Sequence, residues 1–487
     1  MREFQNCFFV LVFSAVIGTG CYSMRPSSGA GQTDFSPPRK FDAADVAVPN
    51  GYRVEVVARD LTFPTGMTFD DNGRIYVVES GYSYGEMWTT PKLLRIRADG
   101  QTETIASGGK NGPWNGVTFS RGEFFVAEGG VLKGGKVLRI TPDGKTTALI
   151  SNLPSFGDHH TDGPVVGPDG QIYFGQGTAS NSGVIGEDNA KFGWLKRRPQ
   201  FHDIPGQDIT LTGQNFETEN VLAGKGSVKT GAFLPFGMPS RPGQIIKGQI
   251  LCSGGVMRIS PSGGKPELVA WGFRNPYGLT FSPDGKLFVS DNSYDDRGSR
   301  PVWGTSDLLW QVKQGIWHGW PDFTGDDPLT EKDYQPPGKP PLKFLMANHP
   351  NQPPKPTAYL GAHAAAGGLD FSRSAKFGHR GDVFIALFGD QAPTVGKVMH
   401  PVGTRVVRVN VATGVIEDFA VNKGKKNGPA SKIGGGGLER PLAVRFSPDG
   451  TSLYIVDFGV LNEDKNGSKP QPRTGAIWRV TREGGAK

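Results

Sequence analysis

Two of the chain's eight histidines, His159 and His160, stand side by side in the stretch GDHHTDGPVVGPDGQIYFGQGT, directly before an alternating apolar run. Imidazole is the side chain that changes charge near neutral pH, so a histidine held in a cleft can move a proton. A histidine beside a strand is also an ordinary surface hydrogen-bonder, and its position decides between the two. Three other clusters carry charge or oxygen donors. WGFRNPYGL holds Arg274 and Asn275, SDNSYDDRG (Ser290 to Gly298) holds Asp291, Asn292, Ser293, Tyr294, Asp295 and Asp296, and LERPLAV holds Arg440. Each has a plain structural reading too: Arg274 bracing two loops, the aspartates capping turns, Arg440 solvated.

Other chemistries lack their motifs. There is no C-x-x-C-H for haem, no Walker-type phosphate loop, no G-x-S-x-G elbow and no H-E-x-x-H zinc helix. The solitary Cys252 reads as a buried residue rather than a nucleophile.

The elements that must position these residues repeat. A glycine or proline, an alternating apolar strand, a D-G-type turn and a second apolar strand recur six times: PTGMTFDDNGRIYVVES, WNGVTFSRGEFFVAEG, DGPVVGPDGQIYFGQG, YGLTFSPDGKLFVSDN, GGLDFSRSAKFGHRGDVFIALFG and PLAVRFSPDGTSLYIVDFG. A second hairpin, such as KLLRIRADGQTETIAS or KVLRITPDGKTTALIS, follows most of them. Units of four strands, a to d, repeated about a centre predict an all-β fold, a six-bladed β-propeller. The sixth unit lacks a fourth strand, and GYRVEVVARD (Gly51 to Asp60) precedes the first, so this N-terminal strand is expected to close the ring and remove exposed edges. An array of β-sandwiches would not account for the displaced strand.

Tight a–b and c–d turns share one end of such a ring, and the b–c and d–a connections share the other. His159, His160, Arg274, Asn275 and Arg440 fall in d–a connections and Asn292, Ser293 and Tyr294 in a b–c loop, so all converge on one mouth. Two insertions, at about 178–254 inside the third unit and about 324–366 leading into the fifth, are assigned to the same mouth, where function is expected.

With 487 residues, 71 glycines and 38 prolines, the composition suits many short strands joined by turns. The net charge of +7 is mild for this length, and its densest basic runs, LKRR and KGKK, read as solvated loops, so nucleic acid is not an expected partner. The first 20 residues have a charged start, an apolar core from Phe8 to Ile17 and small residues before Cys21, which predicts a secretory signal too short to span a bilayer. IGTGC is similar to a bacterial lipobox, with Gly18 where that motif prefers leucine, so Cys21 is a candidate lipid anchor. Residues 21–48 read as a tether and 49–482 as the propeller. An exported protein, periplasmic or membrane-anchored, is expected.

The segments WGFRNPYGLTFSPDGKLFVSDN, LLWQVKQGIWHGWPDFTG, HTDGPVVGPDGQIYFGQG and RPLAVRFSPDG together resemble the soluble glucose/sorbosone dehydrogenase family, from about Gly51 to Val480. That family comprises six-bladed propellers that hold pyrroloquinoline quinone (PQQ) and calcium over the central channel. The resemblance implies a general-base role for His160, which takes a substrate hydroxyl proton, and an oxyanion-supporting role for Arg274. It implies cofactor contacts for Asn275, Asn292 and Arg440. It also implies a calcium held by main-chain carbonyls in the loop of Asn292, Ser293 and Tyr294, as suits a hard cation. The chain departs from the pattern at Thr178, in the place of the aspartate that orients the histidine, and at Phe273, in place of a histidine. Lys397 is a candidate for the family's cofactor lysine without a secure alignment, and Asp158 and Asp162 are the candidates for orienting His160.

The implied activity is oxidation of a sugar or related alcohol or aldehyde by hydride transfer to PQQ, with electrons leaving to an external acceptor. The rival readings are a lactonase-like propeller hydrolase, which needs a side-chain metal site in the channel, and a non-catalytic propeller that binds carbohydrate or protein.

Overall fold

The computed structural model describes residues 38–83, 87–391, 396, 401–464 and 467–483. Six antiparallel sheets form the blades of a β-propeller. Strands a and b of the blades are Pro64–Phe69 and Ile75–Glu79, Trp114–Ser120 and Glu123–Glu128, Thr161–Val166 and Ile172–Gln176, Pro276–Phe281 and Leu287–Asp291, Ala366–Phe371 and Val383–Leu387, and Pro441–Phe446 and Ser452–Asp457. Each strand a touches strand a of the next blade, and the sixth touches the first. The glycine that recurs in this strand has a steric reason. A Cβ on Gly116 would lie 2.0 Å from the Gly163 carbonyl oxygen, one on Gly278 2.4 Å from that of Gly367, and one on Gly367 2.2 Å from that of Leu442. Neighbouring blades thus meet backbone to backbone at the axis, while apolar side chains pack between blades further out. Trp114, Val117 and Phe124 with Tyr76 and Leu93 are one such layer, and Phe384 and Phe419 with Phe446 and Trp478 are another.

Tyr52–Leu61 pairs antiparallel with Gly475–Arg482, from Tyr52 opposite Arg482 to Leu61 opposite Gly475, as the outer strand of the sixth blade. The chain on its N-terminal side is more ordered than a tether to residue 48 implies. Val46–Ala47 adds a fifth strand to the fifth blade. The guanidinium of Arg39, buried against Asp457, donates to its Oδ2 at 2.5 Å and to the carbonyls of Thr474 and Gly437. Cys21 and the signal segment lie outside the described residues.

The first insertion is where the sequence places it, between strand b of the third blade and its strand c, Gly255–Ile259. The second differs. It runs from Val312 to Thr357, between strand c (Ser306–Gln311) and strand d (Ala358–Ala362) of the fourth blade, so it leaves from the tight-turn end rather than leading into the fifth blade. It reaches the mouth by climbing the edge of the third blade: Trp317 bridges Trp271 in parallel, and the His318 and Trp320 amides donate to the carbonyls of Trp271 and Gly272. This covers a strand edge that would otherwise be open.

An acidic residue recurs at the end of strand b and holds the segment entering strand a. Glu79 accepts the Thr62 amide, Asp291 accepts the Arg274 and Asn275 amides, and Asp457 accepts those of Glu439 and Arg440. Indole N–H groups of Trp114, Trp310 and Trp478 donate to Glu128, Asp291 and Asp457. The loops of the mouth are therefore anchored to the rigid ring.

Candidate active site

A cavity of about 230 Å³ opens at the mouth built from b–c and d–a connections. His159, His160, Arg274, Asn275, Asn292 and Ser293 all line it, joined by Asp162, Asp307, His363 and Phe192.

His160 is half-buried, and its Nδ1 lies 3.3 Å from the Ser155 carbonyl oxygen. A carbonyl only accepts, so Nδ1 carries the proton and Nε2 is the ring's basic nitrogen. Burial lowers the pKa of this imidazole to about 4, against the opposing pull of the Ser155 bond and Asp158. His160 is thus neutral at pH 7. His159 is held differently: its Nδ1 lies 3.0 Å from the Thr178 carbonyl, and its amide donates to the same oxygen. Burial, then Arg274 and Arg297, depress its pKa well below the usual histidine range. Thr178 therefore orients His159, and the Ser155 carbonyl orients His160. The Asp158 carboxylate is committed elsewhere, and Asp162 is tied through one oxygen only. Asp158 accepts from Asn189, Trp194 and Arg297, and Asp162 accepts from Asn115.

Arg274, 3% exposed, donates to the Asn181 carbonyl and side chain at 3.0 Å and to Asp295 at 2.5 Å. Asp295 also accepts from Arg297 at 2.9 Å and faces His363 Nδ1 at 3.7 Å. Burial opposes ionisation of Asp295, but Arg274, Arg297 and His363 hold its carboxyl below the usual range. Arg297 continues the chain of charges to Asp158 and Asp188. Arg274 does brace loops, then, while its charge stays at the cavity wall.

Asn275 donates to the Asn292 side-chain oxygen at 2.9 Å, and its own Oδ1 is buried without a partner among the described residues. Ser293 and Asn292 are fixed by Asp307, which accepts the Ser293 amide, the Asn292 side chain and the Ala366 amide. The Tyr294 carbonyl accepts from Thr305. Arg440 stands behind Phe388, its Cζ 5.1 Å from the ring centroid, and donates to the carbonyls of Phe388 and Asp390. Phe388 rather than Arg440 lines the cavity. Phe273 is stacked on the His318 ring at 4.3 Å, so an imidazole supplied from the second insertion sits beside it. Lys397 lies outside the described residues. No group of three or more His, Cys, Asp or Glu side chains converges as a metal cage among the described residues.

Sequence reasoning passed over His363, Asp307, Arg297 and the Phe192–Trp194 wall. His363 had a signal, because it lies in a d–a connection in GAHAAAGGL, as His160 does in its own. Arg297 and Phe192 had none, since their neighbours come from distant segments.

No family model matches the chain. It is 25% identical to quinoprotein glucose dehydrogenase B of Acinetobacter calcoaceticus over 183 residues, which span 37% of this chain and 30% of that relative. Among solved structures it is similar to the holo PQQ domain of pyranose dehydrogenase from Coprinopsis cinerea, at TM-score 0.55 and 16% identity, covering 92% of this chain and 98% of that one. The PQQ-bound aldose sugar dehydrogenase of Streptomyces coelicolor gives a TM-score of 0.51 at 16% identity, over 89% and 99%. The soluble aldose sugar dehydrogenase of Escherichia coli gives 0.52 at 15%, over 88% and 99%. At these identities the structural likeness is one of fold. The chain resembles the PQQ-dependent soluble glucose/sorbosone dehydrogenases in its motifs and in its six-bladed architecture.

Proposed function

We propose that the protein is a quinoprotein oxidoreductase that oxidises a sugar, or a related alcohol or aldehyde, with PQQ and calcium, and passes the electrons to an external acceptor. The observation that carries this reading is the meeting of His160 and Arg274 in one cavity at the propeller mouth. The relatives named above, one by sequence and three by fold, support the choice of substrate class and cofactor.

The cavity suits a flat, oxygen-rich group. Phe388, Leu442 and Ala365 supply apolar surface, and Asn275 and Asp162 each carry a buried oxygen without a partner among the described residues. Asn275, Asn292 and Arg274 would hold the cofactor's edge, with Arg440 adding positive charge from behind Phe388. The main chain at Ser293 and Tyr294 would face the calcium. When bound, PQQ supplies the carbon that accepts a hydride. The protein's own part is the proton: His160 Nε2, kept basic by the Ser155 bond at Nδ1, takes it from the substrate hydroxyl. Arg274 favours negative charge developing on a bound oxygen, and its ties to Asn181 and Asp295 mean that it need not reorganise to do so. The same reading includes export and anchoring through Cys21. Adding PQQ and calcium to the purified apoprotein should give a quinone absorbance that a sugar substrate bleaches. An unchanged spectrum would reject the quinoprotein reading, and a bound cofactor that no sugar, alcohol or aldehyde reduces would leave a binding module.

A further inference from the structure

We infer that Asp162 is a cofactor-contacting residue, whose Oδ2 hydrogen-bonds an acceptor oxygen, carbonyl or carboxylate, of the quinone at the channel mouth. This rests on the reading of the site as a quinone site. Asp162 is at the start of strand a in the third blade, opposite Gly175, and is 1% exposed while lining the cavity. Its Oδ1 accepts from Asn115 Nδ2 at 2.8 Å, a tie across two adjacent blades that fixes the carboxyl plane. Its Oδ2 is buried and has no partner among the described residues. A buried polar atom left unpaired is costly, so one on a residue that lines a binding cavity points to a partner supplied by a ligand.

The direction of the bond follows from charge. Burial pushes this carboxyl well above the usual carboxylate range, the Asn115 bond only partly opposing it. The nearby guanidinium groups are engaged elsewhere, Arg274 with Asp295, and Arg297 with Asp158, Asp188 and Asp295. The neutral acid keeps Oδ1 as acceptor for Asn115, so the proton sits on Oδ2, which donates. Such an O–H donates to a carboxylate or quinone oxygen that an ionised aspartate would repel.

The test is titration of PQQ, with calcium, into full-length apoprotein followed by tryptophan fluorescence, together with sugar KM at saturating cofactor. Asp162→Asn places an amide donor where Oδ2 stood and should hold the PQQ Kd within about threefold of wild type. Asp162→Leu should raise it by about tenfold or more, with KM little changed, and Asp162→Ala, which cannot overpack the site, should do the same. Equal PQQ affinity in folded Leu and Ala variants overturns the contact. A loss in Asp162→Asn as large as in Asp162→Leu overturns the donor and favours a bound cation, and a rise in KM alone assigns the residue to substrate. If the wild type binds no PQQ, the quinoprotein reading fails and this inference falls with it.

Discussion

Arg274 Nη2 donates to Asp295 Oδ2 at 2.5 Å with both side chains almost wholly buried, and Arg297 holds the same oxygen at 2.9 Å. One carboxylate oxygen thus bridges two buried guanidinium groups, and it is the acidic partner of Arg274, while Arg297 also pairs with Asp158 and Asp188. Removing one member of a buried ion pair leaves the other charge uncompensated and costs about 3–5 kcal/mol. Asp295→Asn should therefore lower the melting temperature markedly, and thermal unfolding of the variant checks it.

Arg39 makes a second prediction, at the other end of the chain. It reaches from the segment before the first blade to Asp457 and two carbonyls of the last, and Asp457 also holds the Glu439 and Arg440 amides. Arg39→Ala leaves Asp457 buried without its cation, so a loss of about 3–5 kcal/mol is expected. Deleting 52–61 as well should expose the edge of Gly475–Arg482 and promote aggregation. Melting temperature and light scattering measure the two effects separately.

The propeller was legible because its signals are local. Strand a, the tight turn and strand b lie within about twenty residues of one another, and the glycine that the ring axis demands sits in the same phrase. The displaced strand at Tyr52–Leu61 was legible by counting strands. The meeting of His160 with Arg274 and Asn275 followed from sorting the connections by end, and the same rule applied to GAHAAAGGL would have added His363. What holds these residues in place was not legible. His160 is oriented by a carbonyl, which every residue carries, and Asp158 is drawn away by Arg297, Asn189 and Trp194 from two distant loops. The second insertion was misplaced because the turn after strand c, at Lys313–Ile316 with Gly315 at positive φ, leads into the climb along the third blade and not directly into strand d.

Cys21 carries a prediction that needs no structure. A single acyl chain binds membranes weakly, so stable anchoring there would depend on the several chains of a bacterial lipoprotein. Wild-type protein should fractionate with membranes and Cys21→Ser with the soluble fraction. Wild type found wholly in the soluble fraction refutes the anchor.

The two adjacent histidines should separate cleanly by kinetics. His160 lines the cavity with its Nδ1 tied to the Ser155 carbonyl, and His159 is tied through its Nδ1 to Thr178, the residue that opens the first insertion. Loss of a general base costs about 10²- to 10⁴-fold in rate. His160→Ala should lose kcat by that order with the melting temperature and PQQ affinity nearly unchanged, whereas His159→Ala should lose far less turnover. The pH profile gives the sign. A base whose pKa is lowered to about 4 is already deprotonated throughout pH 5–8, so kcat/KM should stay level on the acid side and fall only as pH drops through about 4. An unshifted histidine would place that fall near 6.5. The acid limb should vanish in His160→Ala and persist in His159→Ala. Persistence of the limb in His160→Ala with near-normal turnover would return the pair to the role of loop hydrogen-bonders.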